Sequence, residues 1–265
     1  MEKVLLFGDS WGVPLLVQSI SSELICGIVA AEIRPQYHDE LARLAAAQQV
    51  PFLVQPRRQS ASYDQFVDQV RALAPDLVTV NSYSMLLHSE LLEIPRLGCV
   101  NLHPALLPKY RGSNPLQWVI INNESETGVT MHYMNSEFDA GDIIAQRRVP
   151  IGPEDTWLDV RGRVAAATRE LLREEIPRVI AQTSNRTAQN EAEACSFPRR
   201  RPEDGEIDWN ESAADIHNLI RALVAPLPGA FYYVGGEKTV LDKYLSLAEV
   251  TDLKETLSEK LTPKV

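Results

Sequence analysis

The sequence lacks several things that would have fixed a reading at once. No apolar run approaches the ~20 residues that a membrane span requires. The opening MEKVLLFGDSW holds only a four-residue apolar stretch before Gly8 and Asp9, too short for a secretory leader, so it reads as a first strand and a cytoplasmic setting is expected. Cysteine is scarce: Cys26, Cys99 and Cys195 lie far apart, with neither metal-ligand spacing nor a disulfide framework. No metal site is expected. The loop after the first strand, GDSWGVPLL, lacks GxGxxG spacing, so no dinucleotide site is predicted. There is no internal repeat or low-complexity tract. Positive charge is the minority sign: 26 Lys and Arg stand against 36 Asp and Glu over 265 residues, a net charge of −10. That balance disfavours nonspecific binding to nucleic acid.

What is present is an ordinary globular balance of 45% hydrophobic and 23% charged residues, enough to bury a sizeable core. Short apolar runs at Val4–Phe7, Leu24–Ala30, Phe52–Val54, Leu77–Val80 and Cys99–Leu102 alternate with helical stretches such as Asp39–Gln48 and Tyr63–Ala74. Continuous apolar strands separated by helices predict a doubly wound, mostly parallel α/β sheet. Ligands bind such sheets at the carboxyl ends of the strands, where Asn81–Leu87 and His103–Asn114 belong. Two further strands are expected at Thr127–Met134 and Asp142–Pro150, then a long helix over Asp155–Gln182 interrupted near Pro177. Thr183–Glu193 is polar and suits a linker. A smaller α+β unit follows: an amphipathic helix Ala213–Leu223 with Ser212 as its N-cap, a hairpin around Gly235-Gly236, and a charged, fraying end over Thr251–Val265. The expected division is residues 1–182, a linker at 183–200, and a small subdomain at 201–265.

The segment NLHPALLPKYRG, Asn101–Gly112, carries the most chemistry. Asn101 and His103 are two apart, so on an extended backbone both face one side. An amide can donate to a developing oxyanion, and an imidazole can take or pass a proton near neutral pH. In FDAGDI, Asp139 and Asp142 flank a small Ala-Gly pair, and a carboxylate near a His favours imidazolium. Taken singly, each residue also has an ordinary reading: a capped turn, a hydrogen-bonded core histidine, an Asx-turn. Arg199-Arg200-Arg201 reads equally as a local anion site or as a solvated loop balanced by Glu203 and Asp204.

In combination, NLHPALLPKYRG, GVTMHYM and FDAGDIIAQ, in this order, resemble the folate-dependent formyltransferase family over roughly residues 1–180. The resemblance implies a Rossmann-like catalytic domain and 10-formyltetrahydrofolate as co-substrate. It implies formyl transfer to an amine through a tetrahedral intermediate. Asn101 would stabilise the oxyanion, His103 would handle the proton, and Asp139 would hold His103. Met85, Leu86 and Leu87 would grip the pterin, with Asn135, Ser136, Glu137, Phe138 and Asp142 on the opposite side of the folate site. Tyr83, Lys109, Arg111, Arg199, Arg200 and Arg221 are the candidates for holding the acceptor. An Arg that follows KYRG in the closest sugar-modifying relatives is Ser113 here, which puts that folate contact in doubt. Trp11 either covers an acceptor or packs on the core.

Ser196–Phe231 is similar to the segment after the catalytic domain in two branches, the enzymes that formylate UDP-4-amino-4-deoxy-L-arabinose and those that formylate methionyl-tRNA. The short acidic C-terminal part favours a nucleotide-linked amino sugar as acceptor, on a pathway to a surface glycan. Methionyl-tRNA formylation and a non-catalytic folate- or nucleotide-sugar-binding module are the alternatives. A homodimer is compatible with the resemblance.

Overall fold

A computed structural model describes residues 2–9 and 11–261. Its centre is a seven-stranded sheet. The first five strands, β1 (Val4–Gly8), β2 (Ile25–Ala31), β3 (Phe52–Gln55), β4 (Leu77–Asn81) and β5 (Cys99–His103), are parallel. They alternate with α1 (Gly12–Ser19), α2 (His38–Ala47), α3 (Tyr63–Leu73) and the short α4 (Ser89–Leu92). After a two-residue strand β6 (Arg111–Gly112) and helix α5 (Pro115–Ile121), strand β7 (Glu126–Tyr133) adds antiparallel to β5, and β8 (Ile143–Pro150) antiparallel to β7. The strand order is β3-β2-β1-β4-β5-β7-β8. The winding therefore reverses between β1 and β4, which opens a crevice at their carboxyl ends.

Both faces of the sheet are covered, which is why the strands read as unbroken apolar runs. Leu6, Leu102 and Met131 point into the larger core with Leu16 of α1 and Ile120 of α5. Leu5, Phe7 and Val80 point into the smaller one with Phe66, Val67 and Val70 of α3. The same alternation in β5 sends Val100 and Leu102 into the larger core. It turns Asn101 and His103 to the other face.

Helix α6 (Trp157–Ile180) begins at a capping box: the Thr156 hydroxyl accepts from Asp159 N, and the Asp159 carboxylate accepts from Thr156 N. The expected interruption near Pro177 is corrected by the structure, where the helix runs through it. Ile176 and Val179, 2% and 1% exposed, anchor the last turn on either side. That burial outweighs the one hydrogen bond a proline removes.

The polar stretch expected as a linker is pinned along its length. Thr187 exchanges both backbone hydrogen bonds with Ile143, and Cys195 O accepts from Arg111 N. Strand β9 (Ser196–Phe197) then pairs with β6, and the Phe197 ring stacks on Tyr110 at 4.9 Å.

The C-terminal elements are α7 (Ala213–Ala222), the hairpin β10 (Ala230–Val234) and β11 (Glu237–Leu241), and α8 (Leu247–Leu261). Ser212 caps α7 by accepting from Asp215 N at 3.1 Å. Gly235 and Gly236 both take positive φ at the hairpin turn. Helix α8 replaces much of the expected frayed end because Val250 and Leu257 are buried; residues 262–265 lie outside the described residues. Ile216, Ile220, Val250 and Leu257 belong to the same apolar core as the large sheet, so the core is continuous from one unit to the other. Among the described residues, no helix is long and apolar enough to cross a membrane.

Candidate active site

The strand register assembles the site. Asn101 on β5 lies opposite His132 on β7, and His103 lies opposite Thr130. Asp139 arrives from the β7–β8 loop at φ 52° and sets its carboxylate between them. Its Oδ2 lies 3.5 Å from His103 Nδ1 and accepts from Gly112 N at 2.9 Å. Its Oδ1 accepts from Asn101 Nδ2 at 3.3 Å and lies 3.5 Å from His132 Nε2. The three residues named from sequence, Asn101, His103 and Asp139, therefore converge.

The histidine tautomers follow from their partners. The carbonyl of Tyr110 can only accept, so the contact at 2.7 Å puts the His103 proton on Nε2. In the neutral ring Nδ1 is then the bare nitrogen, and it faces Asp139. His132 Nδ1 likewise donates to Tyr133 O at 2.8 Å. Its Nε2 is left to accept from Asn101 Nδ2 at 3.2 Å. Asn101 thus presents one N–H to His132 and one to Asp139. Both imidazoles are nearly inaccessible, at 4% and 1% exposed.

Burial would push the Asp139 carboxyl up. The neighbouring His103, then His132, each in its protonated form, and the Gly112 amide outweigh it and hold the group well below the usual carboxylate range. Asp139 is therefore ionised at working pH, and a proton arriving on His103 Nδ1 meets a fixed negative charge.

Two glycines make this approach possible. A Cβ on Gly141 would stand 1.9 Å from Tyr133 O, and one on Gly112, at φ 95°, would stand 2.8 Å from Phe197 O. Behind the strands, Thr130 Oγ1 donates to Ala105 O at 2.7 Å and accepts from Leu107 N at 3.1 Å. Those bonds fix the loop that follows His103.

The loop after β4 is held from below. Asp9 accepts from Ala31 N and Ser84 N, at 3.3 and 3.1 Å. Burial first raises the Asp9 carboxyl above its ordinary value, with these hydrogen bonds opposing the rise. Gln55 donates to Leu86 O at 2.9 Å and accepts from Tyr83 OH at 2.8 Å. Leu87 is buried, while Leu86 is 44% exposed, as is Phe138 at 66% on the β7–β8 loop. Of that loop, Asn135 Oδ1 accepts from Glu137 N, Ser136 and Glu137 are exposed, and Asp142 pairs with Arg186 at 3.0 Å.

The expected acceptor residues divide. Tyr83 is turned inward, its ring edge-on to Phe7 at 5.4 Å. Arg111 is 8% exposed and committed to Gln189 and Glu191. Arg221 is 1% exposed, with donors on Asn218 Oδ1, Gly152 O and Asp155 O. Arg111 and Arg221 are buried and engaged within the fold, while Tyr83 is half-buried. Lys109 and Arg199 are exposed on their loops. Arg200 lies 4.8 Å over the Trp118 ring and lines a cavity of about 100 Å³ with Asn114, Gln117, Arg201, Leu223 and Leu227. Its Nε is buried without a hydrogen-bond partner. Ser113 is exposed. Trp11 faces the Arg161 guanidinium, which also lies 5.1 Å over Trp157.

His132, Thr130, Gln55 and Gln189 were not named from sequence. The alternation in TGVTMHYM was the available signal, since Val129 and Met131 enter the core and Thr130 and His132 share the other face. Among the described residues no group of His, Cys, Asp and Glu side chains is placed to hold a metal ion.

The chain is similar to a sugar N-formyltransferase from Shewanella sp FDAARGOS_354, with a TM-score of 0.75 and 23% identity over 93% of this chain and 98% of that one. It is similar to an N-formyltransferase from Helicobacter canadensis, in complex with folinic acid and dTDP-3-aminofucose, with a TM-score of 0.69 and 20% identity over 89% and 85% of the two chains. It also resembles a methionyl-tRNA formyltransferase from Clostridium thermocellum, with a TM-score of 0.60 and 20% identity over 90% of each. These likenesses describe the fold. The formyl transferase C-terminal domain model matches residues 200–255. The formyl transferase model itself matches residues 16–176, more than half of the sequence and inclusive of Asn101, His103 and Asp139, and the chain therefore belongs to the formyl transferase family.

Proposed function

We propose that this protein moves a formyl group from 10-formyltetrahydrofolate to the amine of a nucleotide-linked amino sugar. The observation that carries the proposal is the convergence of Asn101, His103 and Asp139 on one point. The co-substrate supplies the formyl carbon. Amine attack on that carbon creates negative charge on oxygen and positive charge on nitrogen together, so the site needs a donor for one and an acceptor for the other. Asn101 Nδ2 is the donor, turning one N–H from its present acceptors to the formyl oxygen. His103 Nδ1 is the acceptor, because Tyr110 O already holds the other ring nitrogen as a donor, and it passes the amine proton on to the folate N10 as the formyl carbon–N10 bond breaks and tetrahydrofolate leaves. Asp139, kept ionised, stabilises the imidazolium and fixes the ring plane.

The loop after β4 suits a pterin. Leu86 and Phe138 present exposed apolar surface. The backbones of Met85 and Leu87 carry no hydrogen bond to the rest of the described chain. Asn135, Ser136, Glu137 and Asp142 bound the other side. For the acceptor, Arg200 offers an unpaired buried N–H in a mixed polar and apolar cavity, with Lys109 and Arg199 at the surface. Guanidinium groups match phosphate geometry. The Helicobacter relative's complex with dTDP-3-aminofucose supports this class of acceptor. We assign catalysis to residues 1–182 and treat 201–265 as the smaller unit closing the acceptor side.

The likeness to the Clostridium enzyme favours methionyl-tRNA as a second reading. The net charge of −10 weighs against it, because a tRNA footprint needs clustered cations. The test is tetrahydrofolate release measured with UDP-, dTDP-, GDP- and CMP-linked amino sugars and with methionyl-tRNA. A sugar-dependent rate supports the proposal. A rate with methionyl-tRNA alone replaces it with the second reading.

A further inference from the structure

The Asp139 carboxylate is held by Gly112 N, and the Asp139 backbone, at positive φ in a turn of the β7–β8 loop, is held in addition from the segment between α6 and β9. Gln189 Nε2 donates to Asp139 O at 2.7 Å and to Gly141 O at 2.8 Å, so both amide protons are used on that loop. Gln189 Oε1 accepts from Arg111 Nε at 3.1 Å and Nη2 at 2.8 Å. Arg111 is fixed in turn by Glu191, which takes a bidentate pair at 2.9 and 2.7 Å.

Arg111 and Gly112 are adjacent on β6. The same short strand therefore holds both ends of Asp139: its carboxylate through the Gly112 amide, and its carbonyl through Arg111 and Gln189. The β6–β9 pairing keeps that strand registered against the connecting segment.

We infer that Gln189, oriented by Arg111, is a positioning residue for the transfer reaction, acting on the Asp139 backbone. This rests on the reading of Asp139 as the partner of His103. The chemistry requires a donor amide at 189. Glutamate there keeps an acceptor for Arg111 and strengthens that pair, yet loses both donors to the Asp139 and Gly141 carbonyls. A role confined to satisfying buried Arg111 tolerates Glu; a role in setting Asp139 does not. Misplacement of a catalytic group by about 1 Å costs on the order of 100-fold in rate.

The experiment compares wild type, Gln189→Ala, Gln189→Glu and Asp139→Asn in steady-state formyl transfer, with kcat referred to the folded fraction from circular dichroism. The expected result is a kcat ~10- to 100-fold lower in both Gln189 variants, with KM for 10-formyltetrahydrofolate within about 2-fold. Full activity in Gln189→Glu with loss only in Gln189→Ala overturns the inference, since Arg111 satisfaction then explains the contact. Wild-type kcat in both Gln189 variants beside a crippled Asp139→Asn also overturns it, while leaving the role of Asp139 standing. Wild-type kcat in Asp139→Asn fails the parent reading instead. If Gln189→Ala does not fold, Gln189→Glu decides alone.

Discussion

Replacing Arg221 by methionine should unfold this protein at lower temperature without changing how it binds its acceptor. Arg221 is the largest side chain that is fully buried, at 1% exposed. It donates to Asn218 Oδ1 at 2.9 Å, Asp155 O at 2.7 Å and Gly152 O at 3.3 Å. These bonds join α7 to the turn that precedes α6, so they tie the C-terminal unit to the sheet. Each hydrogen bond from a charged donor is worth ~1.5–3 kcal/mol. They share one side chain and do not add in full. The methionine leaves three neutral acceptors without their donor, at ~1–3 kcal/mol for each one unsatisfied, which for a partly additive set comes to ~3–5 kcal/mol. Methionine fills most of the volume, which confines the loss to the polar terms. At ~2–4 °C per kcal/mol for a chain of this size, the melting midpoint should fall by ~6–20 °C. Differential scanning calorimetry measures the midpoint, and steady-state kinetics at 20–25 °C below it measures KM. An unchanged midpoint with KM for the acceptor raised tenfold or more would instead assign Arg221 to the ligand.

Three other outcomes follow from the geometry. Gly112→Ala should lower both stability and activity, because its Cβ meets Phe197 O at 2.8 Å and relief of that clash moves the amide that holds Asp139; kcat close to wild type would contradict this. Thr156→Ala should cost ~1 kcal/mol of stability by urea unfolding, through loss of the capping box at α6, with kcat unchanged. Asp139 is depressed in the folded state, so its contribution to stability is present above the ordinary carboxylate value and disappears as pH falls through its lowered one. The stability gap between wild type and Asp139→Asn, from urea midpoints, should therefore be full near neutrality and begin to narrow only as pH falls below about 4; a gap that grows in acid would reverse the sign assigned here.

The parallel part of the sheet was legible in the sequence because its central strands β1, β2, β4 and β5 are buried on both faces and the helices between them on one. Val4–Phe7 and Cys99–Leu102 leave little choice of period. Asn101, His103 and Asp139 were legible through family resemblance, and only weakly through their local chemistry. His132 was not, since its partnership with Asn101 depends on the register of β5 against β7, which no local pattern encodes. Charge misled where burial decides. Arg111, Arg200 and Arg221 look alike as guanidinium groups near a ligand site. Two of them are consumed by carbonyls and carboxylates, and Arg200 keeps a buried N–H unpaired. The polar stretch before β9 read as a linker because polarity marks loops. Its Gln189 and Glu191 are polar because they bind Arg111 and the Asp139 loop.

The proposed function stands on transfer of the formyl group by the Asn101, His103 and Asp139 cluster. The most direct measurement is single-turnover transfer of radiolabelled formyl from 10-formyltetrahydrofolate to an amino-sugar nucleotide accepted by the wild type, repeated with folded His103→Ala and Asn101→Ala. Label is expected on the sugar amine with wild type, and rates lower by ~100-fold or more in both variants. Transfer at the wild-type rate by His103→Ala would contradict it.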